Sequence, residues 1–361
     1  VIKIYEPFKL EESKKFFIQI IDEQEITYFG SCYKRTNSKL SELLQTPTIL
    51  MNNGTCATHM LADLIKKTRP SVENLIVPNN VYVAAWNSFL FGKNSFKLIP
   101  VDASLDTWNY NLDKLELLLQ TSDPQKTAVL VVHNIGNIVN VPRLSRQFPE
   151  FLFVEDNCEG FTGKYEGFYS GTKSLASSIS FYANKIITSG EGGALILNQP
   201  ELYDFAYKLH SQGQTRERYL HDLLAYNYRM TNLQAALLES QLKLLDEILY
   251  IKNKIWSFYD ENLDKNKFIR PLNEPQCEPS KWMYAIRAKG MNYRDDIENK
   301  IFDFETRPMF HSIAKHQHLS EYSIFEHTNA EILSKEVFML PSHPNLTEKE
   351  LTTIVQRVNS I

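Results

Sequence analysis

Ser178-Ile179-Ser180-Phe181-Tyr182-Ala183-Asn184-Lys185-Ile186-Ile187-Thr188-Ser189-Gly190-Glu191-Gly192-Gly193-Ala194 reads as a short strand, a loop carrying one lysine, a glycine-rich turn and a second strand. The apolar run Ala194-Leu195-Ile196-Leu197 follows too soon for a helix to intervene, so these two strands pair antiparallel. Working towards the N-terminus, Leu75-Ile76-Val77, Lys97-Leu98-Ile99-Pro100-Val101, residues 128–132 and Phe151-Leu152-Phe153-Val154 are strand-like. Between them lie helical patterns. Residues 58–66 place Met60, Leu61, Leu64 and Ile65 on one face, and residues 111–120 do the same with Leu112, Leu115, Leu118 and Leu119. Strand alternating with helix predicts an α/β fold, a largely parallel sheet wrapped by helices with an antiparallel part near Lys185.

Working towards the C-terminus, the pattern changes at Leu233. Leu237, Leu238, Leu242, Leu244, Leu245 and Ile248 predict one long helix running to about Ile255. Beyond it, residues 282–287, 293–300, 334–340 and 348–359 are separate strand-like and helical pieces. The expected organisation is a large domain over 1–235 and a smaller C-terminal α/β domain over 236–361, with a helix around 11–21 leaning on the latter.

The chain has 361 residues, 43% hydrophobic and 23% charged, with a net charge of −4. That balance is globular, and it offers no basic surface for nucleic acid or an anionic membrane. No apolar run approaches the roughly 20 residues of a membrane span. Val1-Ile2-Lys3-Ile4-Tyr5-Glu6 does not read as a basic region followed by an apolar one. Cys32, Cys56, Cys158 and Cys277 are scattered, with no C-x-x-C pair. They suggest neither a disulfide framework nor a metal site, but small core residues in a reducing, cytoplasmic setting.

Three elements carry chemistry. Asn53-Gly54-Thr55-Cys56-Ala57-Thr58 follows the apolar Ile49-Leu50-Met51 and opens a helix, where free amides and a hydroxyl make an anion site. Taken alone it reads as an N-cap. In Val154-Glu155-Asp156-Asn157-Cys158-Glu159-Gly160 a strand runs into two acids, at the edge where open α/β sheets bind ligands. Such an aspartate also suits a turn. Lys185 is the one basic residue of this loop; a lone lysine in a turn is usually solvated, whereas a partly buried one can become a Schiff-base nucleophile. A phosphate cup, a strand-end aspartate and a loop lysine are together the three handles that pyridoxal 5'-phosphate needs.

With those residues in view, the sequence resembles the DegT/StrS-type nucleotide-sugar aminotransferases from end to end. The match includes Asn53-Gly54-Thr55, Pro100-Val101-Asp102, Glu155-Asp156, Ser180-Phe181 with Lys185, and Gly190-Glu191-Gly192-Gly193. It continues through Tyr226-Asn227-Tyr228-Arg229-Met230-Thr231-Asn232-Leu233-Gln234-Ala235-Ala236, Thr306-Arg307-Pro308 and Leu340-Pro341-Ser342. The resemblance implies a fold-type I architecture, in which helices sandwich a mixed, mostly parallel seven-stranded sheet and a smaller C-terminal domain follows.

The resemblance also implies roles. Lys185 is the catalytic Schiff-base lysine and proton shuttle. Asp156 pairs with the pyridine nitrogen, Glu159 sits near the ring hydroxyl, and Tyr82 stacks on the ring. Thr55, Cys56 and Ser180 bind the phosphate, and Asn227 reaches it from the other subunit of a homodimer. Arg229 and His311 contact the nucleotide sugar. Cys56, Asn157-Cys158 and Glu159 depart from the residues usual in relatives, and none of these changes removes an essential group.

The function implied is transfer of an amino group from L-glutamate to a nucleotide-linked 4-keto-6-deoxyhexose, nearest to the perosamine- and viosamine-type enzymes. No single residue decides C4 over C3, so a 3-aminotransferase acting on a 3-ketosugar is the alternative. The sugar 3-dehydratase branch replaces the lysine by histidine or adds an iron–sulfur cluster, and Lys185 and the scattered cysteines argue against both. A non-catalytic homologue of the fold would have lost Lys185 or Asp156.

Overall fold

The computed structural model describes residues 1–28 and 30–361. The decisive stretch forms two neighbouring strands of a seven-stranded sheet. Its strands are β1 (Thr48–Met51), β2 (Asn74–Pro78), β3 (Lys97–Val101), β4 (Thr127–Val132), β5 (Leu152–Asp156), β6 (Ala176–Ser180) and β7 (Gly193–Leu197). The spatial order is β1-β7-β6-β5-β4-β2-β3. Strand β7 runs antiparallel to both neighbours, and the remaining pairs are parallel. The antiparallel pairing expected around Lys185 is therefore present.

Helices cover both faces, which is why the strands read as unbroken apolar runs. Leu130, Val132, Val154 and Leu195 face α3 (Gly54–Thr68) through its Ala57, Met60, Leu61 and Leu64. Val129, Val131 and Phe153 face the other way, towards Leu115 and Leu119 of α4 (Leu112–Thr121) and Leu144 of α5 (Val141–Gln147). Asparagine caps all three helices: Asn53, Asn111 and Asn140 accept from Cys56, Lys114 and Arg143 N–H at 2.8, 3.2 and 3.0 Å.

The predicted long helix is two. Helix α6 (Asn232–Lys243) ends at Leu244, where φ is −95° and ψ is 0°, and α7 (Leu245–Asn262) starts anew. The apolar pattern runs through the break because each piece buries its own face. Helix α6 packs on α2 (Ser31–Leu44) and α1 (Lys14–Glu23), whereas α7 packs on the C-terminal elements. Thr231 and Gln234 form a capping box at the start of α6, and Gln234 Nε2 also donates to Asn52 O (3.1 Å) and Glu191 O (2.8 Å). Thr231 and Gln234 of the matched block thus tie α6 to the loops around Asn52 and Glu191.

The C-terminal part has a four-stranded antiparallel sheet, ordered β8 (Phe268–Ile269), β9 (Tyr284–Ala288), β11 (Val337–Leu340) and β10 (Arg307–Pro308). Residues 334–340, expected as one piece, divide between the end of a helix (Thr328–Glu336) and β11. The N-terminal helix, expected over 11–21, is Lys14–Glu23 and lies on α6. The residues before it reach the segment leading into β10, where Ile2 bridges Phe304 and Ile4 N–H donates to Glu305 at 3.0 Å. No described helix is long and apolar enough to cross a membrane.

Two glycines let α3 reach the sheet. A Cβ on Gly193 would lie 2.6 Å from Asn53 O and 2.8 Å from Gly54 N; one on Gly54 would lie 2.7 Å from Ser180 Cβ. Backbone cannot yield as a flexible side chain does, so Gly193→Ala is expected to lose about 1–3 kcal/mol in a denaturant titration. A loss below about 0.5 kcal/mol would contradict this close approach.

Candidate active site

Strand polarity gathers the candidates. Met51, Asp156 and Ser180 end their strands and Gly193 begins an antiparallel one, so all four lie on one edge of the sheet. Ligands of open α/β sheets bind outside this edge. Gly54 and Thr55 follow β1 there, Tyr82 follows β2, Glu159 follows β5, and Lys185 lies between β6 and β7.

The cup candidates Thr55 and Cys56 lie in the first turn of α3. Asn53 Oδ1 takes the Cys56 N–H, which leaves the Gly54 and Thr55 amides as first-turn donors without an acceptor inside the helix. Thr55 is exposed, and the Ser180 side chain presses on Gly54. Burial pushes the Cys56 and Cys32 thiols up to about 11 and the Cys277 thiol to about 12, and Cys158 well above the usual range. All four therefore stay protonated at neutral pH and are inert.

The two acids of β5 point to opposite faces, as strand geometry requires. Glu155 is wholly buried and serves the scaffold, with His133 Nε2 at 2.8 Å, Tyr165 Oη–H donating at 3.1 Å and Gly171 N–H at 3.0 Å. His133 Nδ1 accepts from Val139 N–H at 3.2 Å, so its proton sits on Nε2, towards Glu155. Asp156 faces the other way and closes a turn by accepting Cys158 N–H at 3.0 Å. Glu159, 8% exposed, accepts Ile135 N–H at 2.8 Å. Burial raises its carboxyl to about 7, against the pull of Lys185 and the Ile135 N–H. Lys185 and Asp156 both act electrostatically on Cys158 and Glu159, so the four groups form one cluster. Lys185 Nζ lies 4.1 Å from the ring centroid of Trp282.

Tyr82 presents a ring that is 60% exposed, in edge contact with Phe310 at 6.0 Å. Ser88 Oγ–H, in the turn after it, donates to Thr55 O at 3.4 Å, and Asn134 Nδ2–H to Asn80 O at 3.1 Å, which ties these loops to the cup. His311 follows Phe310 and is exposed, with Arg294 Nη2 at 3.1 Å. In residues 226–229 the side chains alternate. Tyr226 and Tyr228 stack on each other at 4.6 Å and meet His59 of α3, with Tyr228 Oη 2.9 Å from His59 Nδ1. Asn227 and Arg229 take the opposite face. There Arg229 Nε–H donates to Asn227 Oδ1 at 2.8 Å, and its guanidinium covers the Tyr28 ring at 3.9 Å. The chain thus brings Lys185, Asp156, Glu159, Ser180 and the cup together, and turns Asn227 and Arg229 away from its own α3.

This donor set fits a phosphorylated pyridine aldehyde: helix amides and hydroxyls at a cradle that a Cβ would fill, an amine, and acids on the far side. A cavity of about 950 Å³ elsewhere, between Trp256, Arg270 and Lys281, holds none of the candidate residues. Sequence reading missed Gly54 and Gly193 as the close approach, and Trp282. The glycines stood in the quoted motifs, whereas nothing in the sequence ties Trp282 to Lys185.

Glu159 gives a test by pH. Its folded value near 7 exceeds the ordinary 4.5, so the folded chain binds this proton more tightly and loses stability as pH rises between the two. Between about pH 5 and 8, the cofactor-free wild type is expected to lose about 2–3 kcal/mol more than Glu159→Gln by denaturant titration. Parallel profiles would contradict the burial argument.

Residues 8–359 match the model of the DegT/DnrJ/EryC1/StrS aminotransferase family. The chain is 29% identical to a GDP-perosamine synthase of Escherichia coli O157:H7, with 99% of this chain and 98% of that protein covered. It is 30% identical to a GDP-perosamine synthase of Caulobacter vibrioides, with 87% and 85% covered. Among solved structures, an E. coli GDP-4-keto-6-deoxy-D-mannose-3-dehydratase superposes with a TM-score of 0.88 at 18% identity, covering 99% of each chain. The seven-stranded sheet and the C-terminal unit are thus a known architecture, and the chain belongs to the DegT/DnrJ/EryC1/StrS aminotransferase family.

Proposed function

We propose that this protein moves the amino group of L-glutamate onto C4 of a nucleotide-linked 4-keto-6-deoxyhexose, giving a 4-amino-4,6-dideoxy sugar nucleotide and 2-oxoglutarate. The observation that carries the reading is one cluster at the sheet edge: Lys185, Asp156 and Glu159 beside the free amides of α3. Pyridoxal 5'-phosphate is the cofactor, and when bound it supplies an electron sink for the carbon whose proton is removed. Thr55, Cys56 and Ser180, with the Gly54 amide, would hold its phosphate. Asp156 would keep the ring nitrogen protonated, Glu159 would sit near the ring hydroxyl, and Tyr82 would stack on the ring. Lys185 would anchor the aldehyde carbon, and its amine would move a proton between cofactor C4′ and the substrate carbon. Arg229 and His311 are assigned to the nucleotide sugar.

The relatives include GDP-perosamine synthases, and a solved neighbour is named for GDP-4-keto-6-deoxy-D-mannose, so that sugar nucleotide is the first substrate to offer. With it and glutamate, the wild type is expected to yield the amino sugar nucleotide by mass spectrometry. Lys185→Ala should fold and bind cofactor without turnover; activity within about tenfold of wild type would overturn its role. Products from 3-keto substrates alone would favour the 3-aminotransferase.

The site is shared in a homodimer. Tyr226 and Tyr228 attach the loop to its own α3, while Asn227 and Arg229 face outward, where a two-fold partner presents the same surface. Mixing Lys185→Ala subunits with subunits altered at both Asn227 and Arg229 should restore activity, up to about a quarter of wild type by site counting. No recovery despite demonstrated subunit exchange would mean that each chain completes its own site.

A further inference from the structure

Trp282 precedes β9 and is 6% exposed, with both its ends held. Its indole N–H donates to the carbonyl of Asn184 at 2.9 Å, one residue before Lys185. Its own carbonyl accepts from the Lys252 side-chain amine of α7 at 3.1 Å, and that amine also donates to Ser342 O, just past β11, at 2.8 Å. Between these anchors the indole face lies 4.1 Å from Lys185 Nζ. An indole face attracts a cation, the more so when water is excluded. Asn184, Lys185, Lys252 and Trp282 line one small cavity.

We propose that Trp282 is the positioning residue for Lys185: its ring face holds the free amine as an ammonium ion at the sheet edge, and Lys252 fixes the ring in place. The contribution to turnover rests on the function proposed above. The contact itself does not. A lysine released during each half-reaction needs a fixed seat from which to return its proton, and a side chain with four rotatable bonds has none of its own. Among the described residues, the other charged or titratable groups around Lys185 are Asp156, Cys158 and Glu159 on the β5 side, and Tyr5, Glu6, Lys252 and His343 around the shared cavity. The variants below leave all of them unchanged.

Three replacements separate the ring face from the bulk: Trp282→Leu removes the face, Trp282→Phe keeps one without the N–H, and tetrafluorotryptophan at position 282 keeps shape and N–H but drains the face of negative charge. The reading is reductive methylation of Lys185 in the cofactor-free full chain across pH, followed by peptide mass spectrometry. Half-maximal labelling is expected to move down by about 0.4–1.5 pH with Leu and with tetrafluorotryptophan, and to stay near wild type with Phe. In the loaded enzyme the same two replacements should slow kcat about 3- to 30-fold with KM for glutamate unchanged.

An unmoved labelling profile in the tetrafluoro protein, at an unchanged melting temperature, would overturn the contact, and this holds even if Trp282→Leu does not fold. A moved profile with unaltered kcat would overturn the positioning role. Full activity of Lys185→Ala would overturn the proposed function instead and leave the contact standing.

Discussion

The backbone of Gly193 touches the Asn53–Gly54 peptide with no room for a side chain between them. Everything at the sheet edge depends on this contact. It presses the N-terminus of α3 against β7 and Ser180, so that the first free amides of the helix open at the level of the strand ends. Gln234 secures the arrangement from the other side by bonding the carbonyls of Asn52 and Glu191. A helix N-terminus placed there offers partial positive charge to an anion, and the neighbouring strand ends supply the rest of the site.

The buried charges divide into scaffold and site. Glu155 is fully paired by His133, Tyr165 and Gly171 and holds β5 to the segment that leads into β6. Glu159 is buried with a single backbone donor and is pushed up to about 7, an acid that changes charge near neutrality. Lys252 is an amine 4% exposed, bonded to two carbonyls and lowered by burial to about 7. Groups poised in this way cluster around Lys185, where functional sites concentrate perturbed acids and bases.

Much of the fold was legible because the sheet is covered on both faces. Its strands are plain apolar runs, the helices between them keep a clean period, and the short spacing between Ser180 and Ala194 forces the antiparallel pair. The break at Leu244 was not legible, because the two helices bury successive apolar faces against different partners and the period passes through. At the site, Lys185, Asp156 and the cup announced themselves as residue types at strand ends and a helix start. The capping of Cys56 N–H by Asn53 follows a known N-cap preference but depends on a rotamer. The Trp282 contact joins residues far apart in the chain through tertiary packing alone, and no local pattern records it.

The central claim is that Lys185 is the amine that holds the cofactor. Borohydride reduction of the protein loaded with pyridoxal 5'-phosphate converts that bond into a stable secondary amine, which peptide mass spectrometry can place. The account predicts one adduct per chain, on Lys185. An adduct on Lys252 or any other lysine, or no adduct, would contradict it.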